Sequence, residues 1–159
     1  MPVVKVIRAT EEHARELAPD LRPEDVAELE ALGLNEPLEV LLHGVRDSDV
    51  AASALVDGAI AAMFGVKEIR GSLVTGPSVG QLWFLTGHAF ARAPLAVTKA
   101  ARRCVSSLLA TYPMLVNAID ARYTSALRFA QLLGAQLLEP RSLGPAASSF
   151  IPFRIERRR

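Results

Sequence analysis

The sequence holds a single cysteine, Cys104, so no internal disulfide can form and no cysteine-based zinc site can be assembled. Its three histidines, His13, His43 and His88, lack metal-like spacing, and no metal site is expected. Long hydrophobic runs are absent too. The longest, Val50–Val56 and Ala59–Val66, fall far short of the roughly 18 apolar residues that a membrane span needs. The first residues do not read as a leader, because Val3-Val4-Lys5-Val6-Ile7 is strand-like rather than basic and then apolar. An intracellular protein is the expectation. Internal repeats and low-complexity tracts are missing. Net charge is only +1, so a dedicated nucleic-acid binder is not indicated.

What is present describes an ordinary globular chain. Half of the 159 residues are apolar and 22% are charged, enough to bury a core and too apolar for general disorder. A single domain over residues 1–159 is expected, with a basic and mobile tail at 156–159. The charge is divided along the chain. Residues 1–80 carry seven basic and fourteen acidic side chains, a balance of −7, and residues 81–159 carry eleven and three, a balance of +8. Such a split suits protein partners, either other copies of the chain or a different protein, or an anionic ligand in the second half. The simpler reading is that the first half is rich in helices with solvated acidic faces.

Val3–Arg8 alternates as a first strand. Thr10 offers an N-cap, and Glu11 and Glu12 follow in the first turn, where the helix dipole favours acids. That helix should end by Ala18, ahead of Pro19. A second helix starts near Pro23 and runs through Val26, Leu29 and Leu32 to Gly33. A third begins after Asn35, with Leu38, Leu41, Leu42 and Val45 on one face. Val50–Val56 and Ala59–Val66 flank Asp57-Gly58, a strong signal for a hairpin closed by a type I′ turn, and Gly65 is a candidate bulge. Arg70–Gly80 reads as a surface loop and Gln81–Thr86 as a strand. The helix from Leu95 to about Thr111 carries an apolar stripe of Val97, Ala101, Cys104, Val105 and Leu108. Leu115–Asp120 is a buried strand that runs into a helix closing at Gly134. Short strands at Ala135–Leu138 and Phe150–Ile155 end the chain, separated by a Gly/Pro/Ser-rich loop.

This order, strand, helices, three strands, helix, strand, helix and two strands, resembles the GNAT family of N-acetyltransferases along residues 3–155. The local match is best where Ala126, Leu127, Leu133 and Gly134 fall in the family's register. Leu-Trp-Phe-Leu-Thr-Gly at 82–87, Asp-Ala-Arg at 120–122 and Ala-Leu-Arg-Phe at 126–129 look like a phage-encoded branch. That branch includes internal virion proteins of short-tailed phages and acetyltransferases. The resemblance implies a mixed α+β fold, with a central sheet of about six to seven strands flanked by helices.

It also implies a site. If acetyl-CoA binds, its pantetheine would lie beside the backbone of Phe84, Leu85, Thr86 and Gly87. Its phosphates would fall near the helix that starts at Leu95, with charge from Arg92, Lys99 and Arg102. His88 and Tyr123 are the catalytic candidates, His88 as a base at the strand end and Tyr123 as a proton donor. For each there is a plainer reading: Lys99, Arg102 and Arg103 as a solvated helix face, His88 as a surface residue, Tyr123 as packing at a helix start. Asp120 is expected to order the strand-to-helix turn or pair with Arg122, and Cys104 to be a small buried hydrophobe.

Several family cues are missing. The glycine-rich turn that lets N–H groups approach a pyrophosphate is replaced by Gly87-His88-Ala89-Phe90-Ala91-Arg92-Ala93-Pro94-Leu95. Tyr123 stands where an Asn is usual, Ala130 where a Tyr is common, and Ala135 where a Phe is. These departures favour a phage protein that has lost acetyl transfer and acts as a virion-associated or assembly component, made in the host cytoplasm. The alternative is an acetyl-CoA-dependent N-acyltransferase with a divergent pyrophosphate loop. Whether the chain is an enzyme stays open at this point.

Overall fold

The structure is a computed structural model that describes residues 1–158 apart from Thr75 and Pro77. Those two, from the expected surface loop, and Arg159 of the basic tail lie outside the described residues. The strands are β1 (Val4–Arg8), β2 (Val50–Val56), β3 (Ala59–Ile69), β4 (Val79–Thr86), β5 (Met114–Asp120), β6 (Gln136–Leu137), β7 (Arg141–Leu143) and β8 (Ser148–Glu156). The helices are α1 (Glu11–Leu17), α2 (Pro23–Ala31), α3 (Pro37–Asp47), α4 (Pro94–Thr111) and α5 (Thr124–Leu132). Two 3-10 turns, Ala18–Asp20 and His88–Arg92, complete the order.

One sheet of eight strands runs β1-β2-β3-β4-β5-β8-β6, with β7 also paired to β8. The expected six to seven strands is thus one short. The extra strand is β7, inside the stretch read as a loop. Gly144 (φ 78°) and Ala147 (φ 50°) take left-handed backbone conformations that fold this stretch into a tight hairpin with β8. The turn at Asp57-Gly58 has positive φ at both residues, 48° and 85°, as a type I′ hairpin requires.

The bulge expected at Gly65 is elsewhere. The β2–β3 register shifts between Ala54 and Leu55, leaving Ala61 as the extra residue, and its carbonyl accepts the Gly87 N–H at 2.8 Å. Gly65 instead answers to packing. A Cβ there would lie 2.6 Å from Trp83 Nε1 and 2.7 Å from the Val50 carbonyl oxygen.

Period-two alternation along β4 divides the core between the two sheet faces. Trp83 and Leu85 join Leu17, Leu41 and Met63 under α1–α3. Leu82 joins Val105 of α4, Leu115 and Ile119 of β5 and Phe153 of β8 on the other face. Helix starts follow simple rules. Thr10 and His13 form a capping box at α1, while α2, α3 and α4 each open with proline in the first turn, where its missing N–H costs nothing. At the far end, Arg157 is tied into the fold. Its N–H donates to the Pro113 carbonyl at 3.1 Å, and its guanidinium donates to the Leu109 and Ala110 carbonyls near the C-terminus of α4.

The feature that positions a site is the β4–β5 junction. These parallel strands pair only at Gly80↔Leu115 and Gln81↔Val116, although β4 continues to Thr86 and β5 to Asp120. The close approach at the junction needs Gly80, whose Cβ would lie 2.7 Å from Val66 and 2.9 Å from Leu115. Beyond it the strands diverge. The Asn117 side-chain amide donates across the opening to the Leu82 carbonyl. β4 stays paired to β3 through Thr86, and β5 stays paired to β8 through Asp120, so the sheet divides into two halves around a wedge.

Candidate active site

The wedge frees one edge of β4. Strand backbone groups alternate between the two edges, and the known partners set the phase. The Leu82 carbonyl meets Asn117, the Thr86 N–H meets Asp25 at 3.2 Å, and the Thr86 carbonyl accepts the Arg22 N–H at 3.0 Å. Phe84 lies between these two residues, so its N–H and C=O face the wedge, and Leu85 directs its own toward β3.

A cavity of about 340 Å³ opens at this edge and extends between α4 and α5. Its floor includes Phe64, Phe84, Asn117 and Ile119, and its mouth is flanked by Leu95 and Leu132, which are 80% and 59% exposed. Aromatic rings cross it. Phe84 and Phe129 have centroids 5.0 Å apart, Phe90 meets Phe129 edge-on at 5.7 Å, and the Arg22 guanidinium sits 5.0 Å from the Phe90 ring centroid.

The other end of the cavity is polar and is built by α2. Asp25 and Glu28 lie three residues apart, so one helix face brings both to the ends of β4 and β5. Asp25 accepts from the Thr86 N–H and hydroxyl. Arg22 donates to Thr86 Oγ1 at 2.8 Å and to the Tyr123 hydroxyl at 2.9 Å, with its Nε 3.9 Å from Asp25. Glu28 accepts the Asp120 N–H at 2.9 Å. Asp120 accepts from the Arg122 N–H and pairs bidentately with its guanidinium, the shortest contact being 2.7 Å. The expected turn-ordering role of Asp120 is what the structure contains.

Burial decides the protonation pattern. It pushes Glu28 up to about 7, helped by the charges of Asp25 and Asp120 and opposed by the Asp120 N–H. Burial also raises Asp25, against the hydrogen bonds of Thr86 and the charge of Arg22. Tyr123 is pushed up to about 12 by burial and by Asp25. Asp120 is held low, mainly by its hydrogen bond from Arg122. Asp25, Glu28 and Asp120 thus form an acid cluster with Arg22 opposite the first and Arg122 opposite the last. Among the described residues no cation is paired with Glu28.

The residues expected from sequence are partly brought together. Phe84, Thr86 and Tyr123 line the cavity. Leu85 is buried under α1–α3, and Gly87 is locked by its N–H on Ala61, with no room for a Cβ beside Leu17 and Asp20. Arg92, Lys99 and Arg102 are exposed and stand off the cavity lining, whose basic residues are Arg22 and Arg128. His88 is exposed as well. Its Nδ1 lies 2.9 Å from the Asp20 carbonyl and 3.1 Å from the Asp20 carboxylate, so it fastens the 3-10 turn. Tyr123 caps the start of α5 and is 6% exposed, a buried member of the network. Cys104 is half-buried on the cavity wall, with its thiol pushed up by burial.

Arg22, Asp25, Glu28 and Asn117 were not expected from sequence. A signal for one of them existed. Asp25 stands one helical turn before Leu29 and shares its inward face, whereas Glu28 lies off the Val26–Leu29 stripe. Among the described residues no group of three metal-ligating side chains is assembled, and no helix is long and apolar enough to cross a membrane.

Neither a family model nor a curated protein matches this sequence. Solved structures do match its shape. An aminoglycoside N(6′)-acetyltransferase from Legionella pneumophila superposes with a TM-score of 0.73 at 11% identity, over 96% of this chain and 91% of that one. The aminoglycoside acetyltransferase AAC(6′)-Ib, solved with ribostamycin and coenzyme A, gives 0.72 at 18% identity, over 97% and 93%. A GNAT-family acetyltransferase from Streptococcus pneumoniae gives 0.64 at 15% identity, over 97% and 99%. With its divided sheet and flanking helices, the chain has the GNAT fold.

Proposed function

We propose that this chain is an acyl-CoA-dependent N-acyltransferase with a divergent phosphate-binding region. One observation carries the reading: the freed edge of β4 and the Glu28 carboxylate share a single cavity. The neighbour solved with coenzyme A supports the choice of cosubstrate.

The thioester arm fits the wedge, where the Phe84 N–H is free to meet its carbonyl oxygen and the Asn117 side chain borders its path. The phosphate end has no glycine cradle. Arg128 at the cavity and the exposed Arg92, Lys99 and Arg102 around the start of α4 supply positive charge instead. The acceptor is an amine that is cationic at neutral pH, because Glu28 is the one carboxylate of the acid cluster without a cation. Glu28 takes the ammonium proton, which a carboxylate near 7 does readily. The neutral amine then attacks the thioester carbonyl, and the Phe84 N–H stabilises the oxyanion. The C–N bond forms, the C–S bond breaks, and the second amine proton ends on the departing thiolate. Tyr123, its hydroxyl protonated throughout the neutral range, is the candidate relay, giving its proton to sulfur and taking up the amine's in exchange. His88 stays outside this path.

The test is titration with acetyl-CoA, followed by thiol release in the presence of cationic primary amines. Saturable binding is expected. Glu28→Gln should lower kcat/KM by about 10²-fold or more and remove an apparent pKa near 7 from its pH profile. Absence of saturable binding by acetyl-CoA and by longer acyl-CoA thioesters alike overturns the reading.

A second reading then takes its place: a phage-type protein without transfer activity, associated with the virion or its assembly. Two observations favour it. Phe90 packs on Phe129 across the cavity, and α4 opens with Pro94 and no side-chain cap where a working site presents a glycine-rich turn. The opposite charges of the chain's two halves would serve its protein contacts.

A further inference from the structure

We infer that the site takes acyl-CoA thioesters whose acyl group is longer than acetyl, and that the inner end of the α4–α5 cavity holds the hydrocarbon chain. This rests on the N-acyltransferase reading. The cavity lining follows α4 from Leu95 at the mouth to Leu108, about 20 Å at 1.5 Å per residue. Its chemistry changes along that length. Arg22, Thr98, Arg128 and Asn117 stand around the mouth and the wedge. The inner end is made by Leu82, Val105, Leu108, Leu133, Phe153 and Ile155, with no side-chain nitrogen or oxygen.

Pantetheine carries amides and the nucleotide end carries phosphates. Neither can enter an apolar pocket without losing hydrogen bonds to water that nothing there replaces. Hydrocarbon can. At about 340 Å³ the whole cavity exceeds twice the roughly 150 Å³ of a dry apolar cavity that admits benzene, so hydrocarbon of this size can enter it. Small side chains keep the space open. Ala101 of α4 and Ala126 and Ala130 of α5 all line the cavity, and a tyrosine in place of Ala130 would take up part of it. The inner end also adjoins Phe84, whose N–H would hold the thioester carbonyl, so a chain attached to that carbonyl reaches Leu82 within two residues of strand.

The experiment is calorimetric titration of the full chain with coenzyme A and with acetyl-, butyryl-, hexanoyl- and octanoyl-CoA. Affinity should rise about fourfold per added methylene from acetyl until the inner end is filled. Val105→Phe, which fills that end, should cut the hexanoyl-to-acetyl affinity ratio at least tenfold. Should that variant fail to fold, Ala130→Leu tests the same space from α5. Affinity that is flat or falling with chain length overturns this inference and leaves acyl transfer standing. A chain-length gain that neither variant reduces also overturns it, because the hydrocarbon is then bound elsewhere. If no coenzyme A derivative binds, the N-acyltransferase reading fails and this inference fails with it.

Discussion

Replacing Glu28 by glutamine should make the protein more stable at pH 8 and less active. In the folded chain burial holds the Glu28 carboxyl near 7, against 4.5 for an ordinary glutamate. The native state therefore binds this proton more tightly than the unfolded state does, and between about 4.5 and 7 folding takes up a proton. For a raised carboxyl the stabilising contribution is whole below 4.5 and is lost as pH rises through 7. A difference of about 2.5 units corresponds to about 3 kcal/mol, an order-of-magnitude figure for a buried group with acidic neighbours. Glutamine has no proton to lose, and its side-chain oxygen still accepts the Asp120 N–H that Glu28 accepts at 2.9 Å.

Urea unfolding of both proteins from pH 4 to pH 8 measures the effect. Asp25, also raised, gives both proteins a slope of the same sign, and Asp120, held low, gives both an opposite slope at more acidic pH. The quantity to follow is therefore the difference between the two proteins. It should move in favour of the variant by about 3 kcal/mol across the range, mostly between pH 4.5 and 7. A difference constant to within about 0.5 kcal/mol would refute the account of Glu28 as a buried, unpaired acid, and with it the case for Glu28 as base. A gain in stability coupled to a loss of activity is what a strained functional group produces.

Tyr123→Phe removes the acceptor for Arg22 Nη2 and should cost about 1.5 kcal/mol in chemical unfolding, since the lost hydrogen bond is half-buried and charged on one side. Gly65→Ala sets a methyl group 2.7 Å from the Val50 carbonyl oxygen, which the sheet holds in place, and 2.6 Å from Trp83 Nε1. It should destabilise by about 2 kcal/mol and alter the emission of the protein's one tryptophan. Arg157→Ala releases the carbonyls of Leu109 and Ala110, at a cost of about 0.5–1 kcal/mol, with faster amide exchange in the last turn of α4 and little change elsewhere.

Local rules carried most of the fold because the elements obey them one at a time. Thr10 caps α1, prolines open α2 and α4, Asp57-Gly58 closes the β2–β3 hairpin, and the stripe through Val97, Ala101 and Val105 buries one side of α4. What escaped were features that depend on distant partners. β7 is a strand only because β8 lies beside it, and Arg157 is fixed only because α4 ends within its reach. Gly65 illustrates the same limit. A glycine in a strand signals either a bulge or a close approach, and the ring of Trp83, 18 positions along the chain, decides for the second.

The site was harder to read because its chemistry comes from a helix that sequence logic sends to the surface. Ten acidic residues between positions 11 and 39 look like one solvated face, and most of them are. Asp25 differs in phase, one turn before Leu29 and on its face, so a helix that buries Leu29 carries this carboxylate inward, whatever that costs in desolvation. Glu28 lies off the Val26–Leu29 stripe and enters the site because β5 ends beside it, where it accepts the Asp120 N–H. The cost is visible in the raised carboxyl of Glu28 and is offset at Asp25 by Thr86 of β4 and by Arg22, the N-cap residue of α2 itself. The departures from the family pattern at Tyr123 and Ala130 then take on a different sense. Tyr123 in the Asn position gives Arg22 a partner within the acid cluster, and Ala130 in the Tyr position leaves the α4–α5 cavity open. Each substitution removes a side chain usual in the family, and each leaves a feature of the site in its place. Loss of the standard residues is therefore weaker evidence for an inactive protein than it looks from sequence, and titration with acetyl-CoA and its longer acyl homologues is the measurement that separates the two readings.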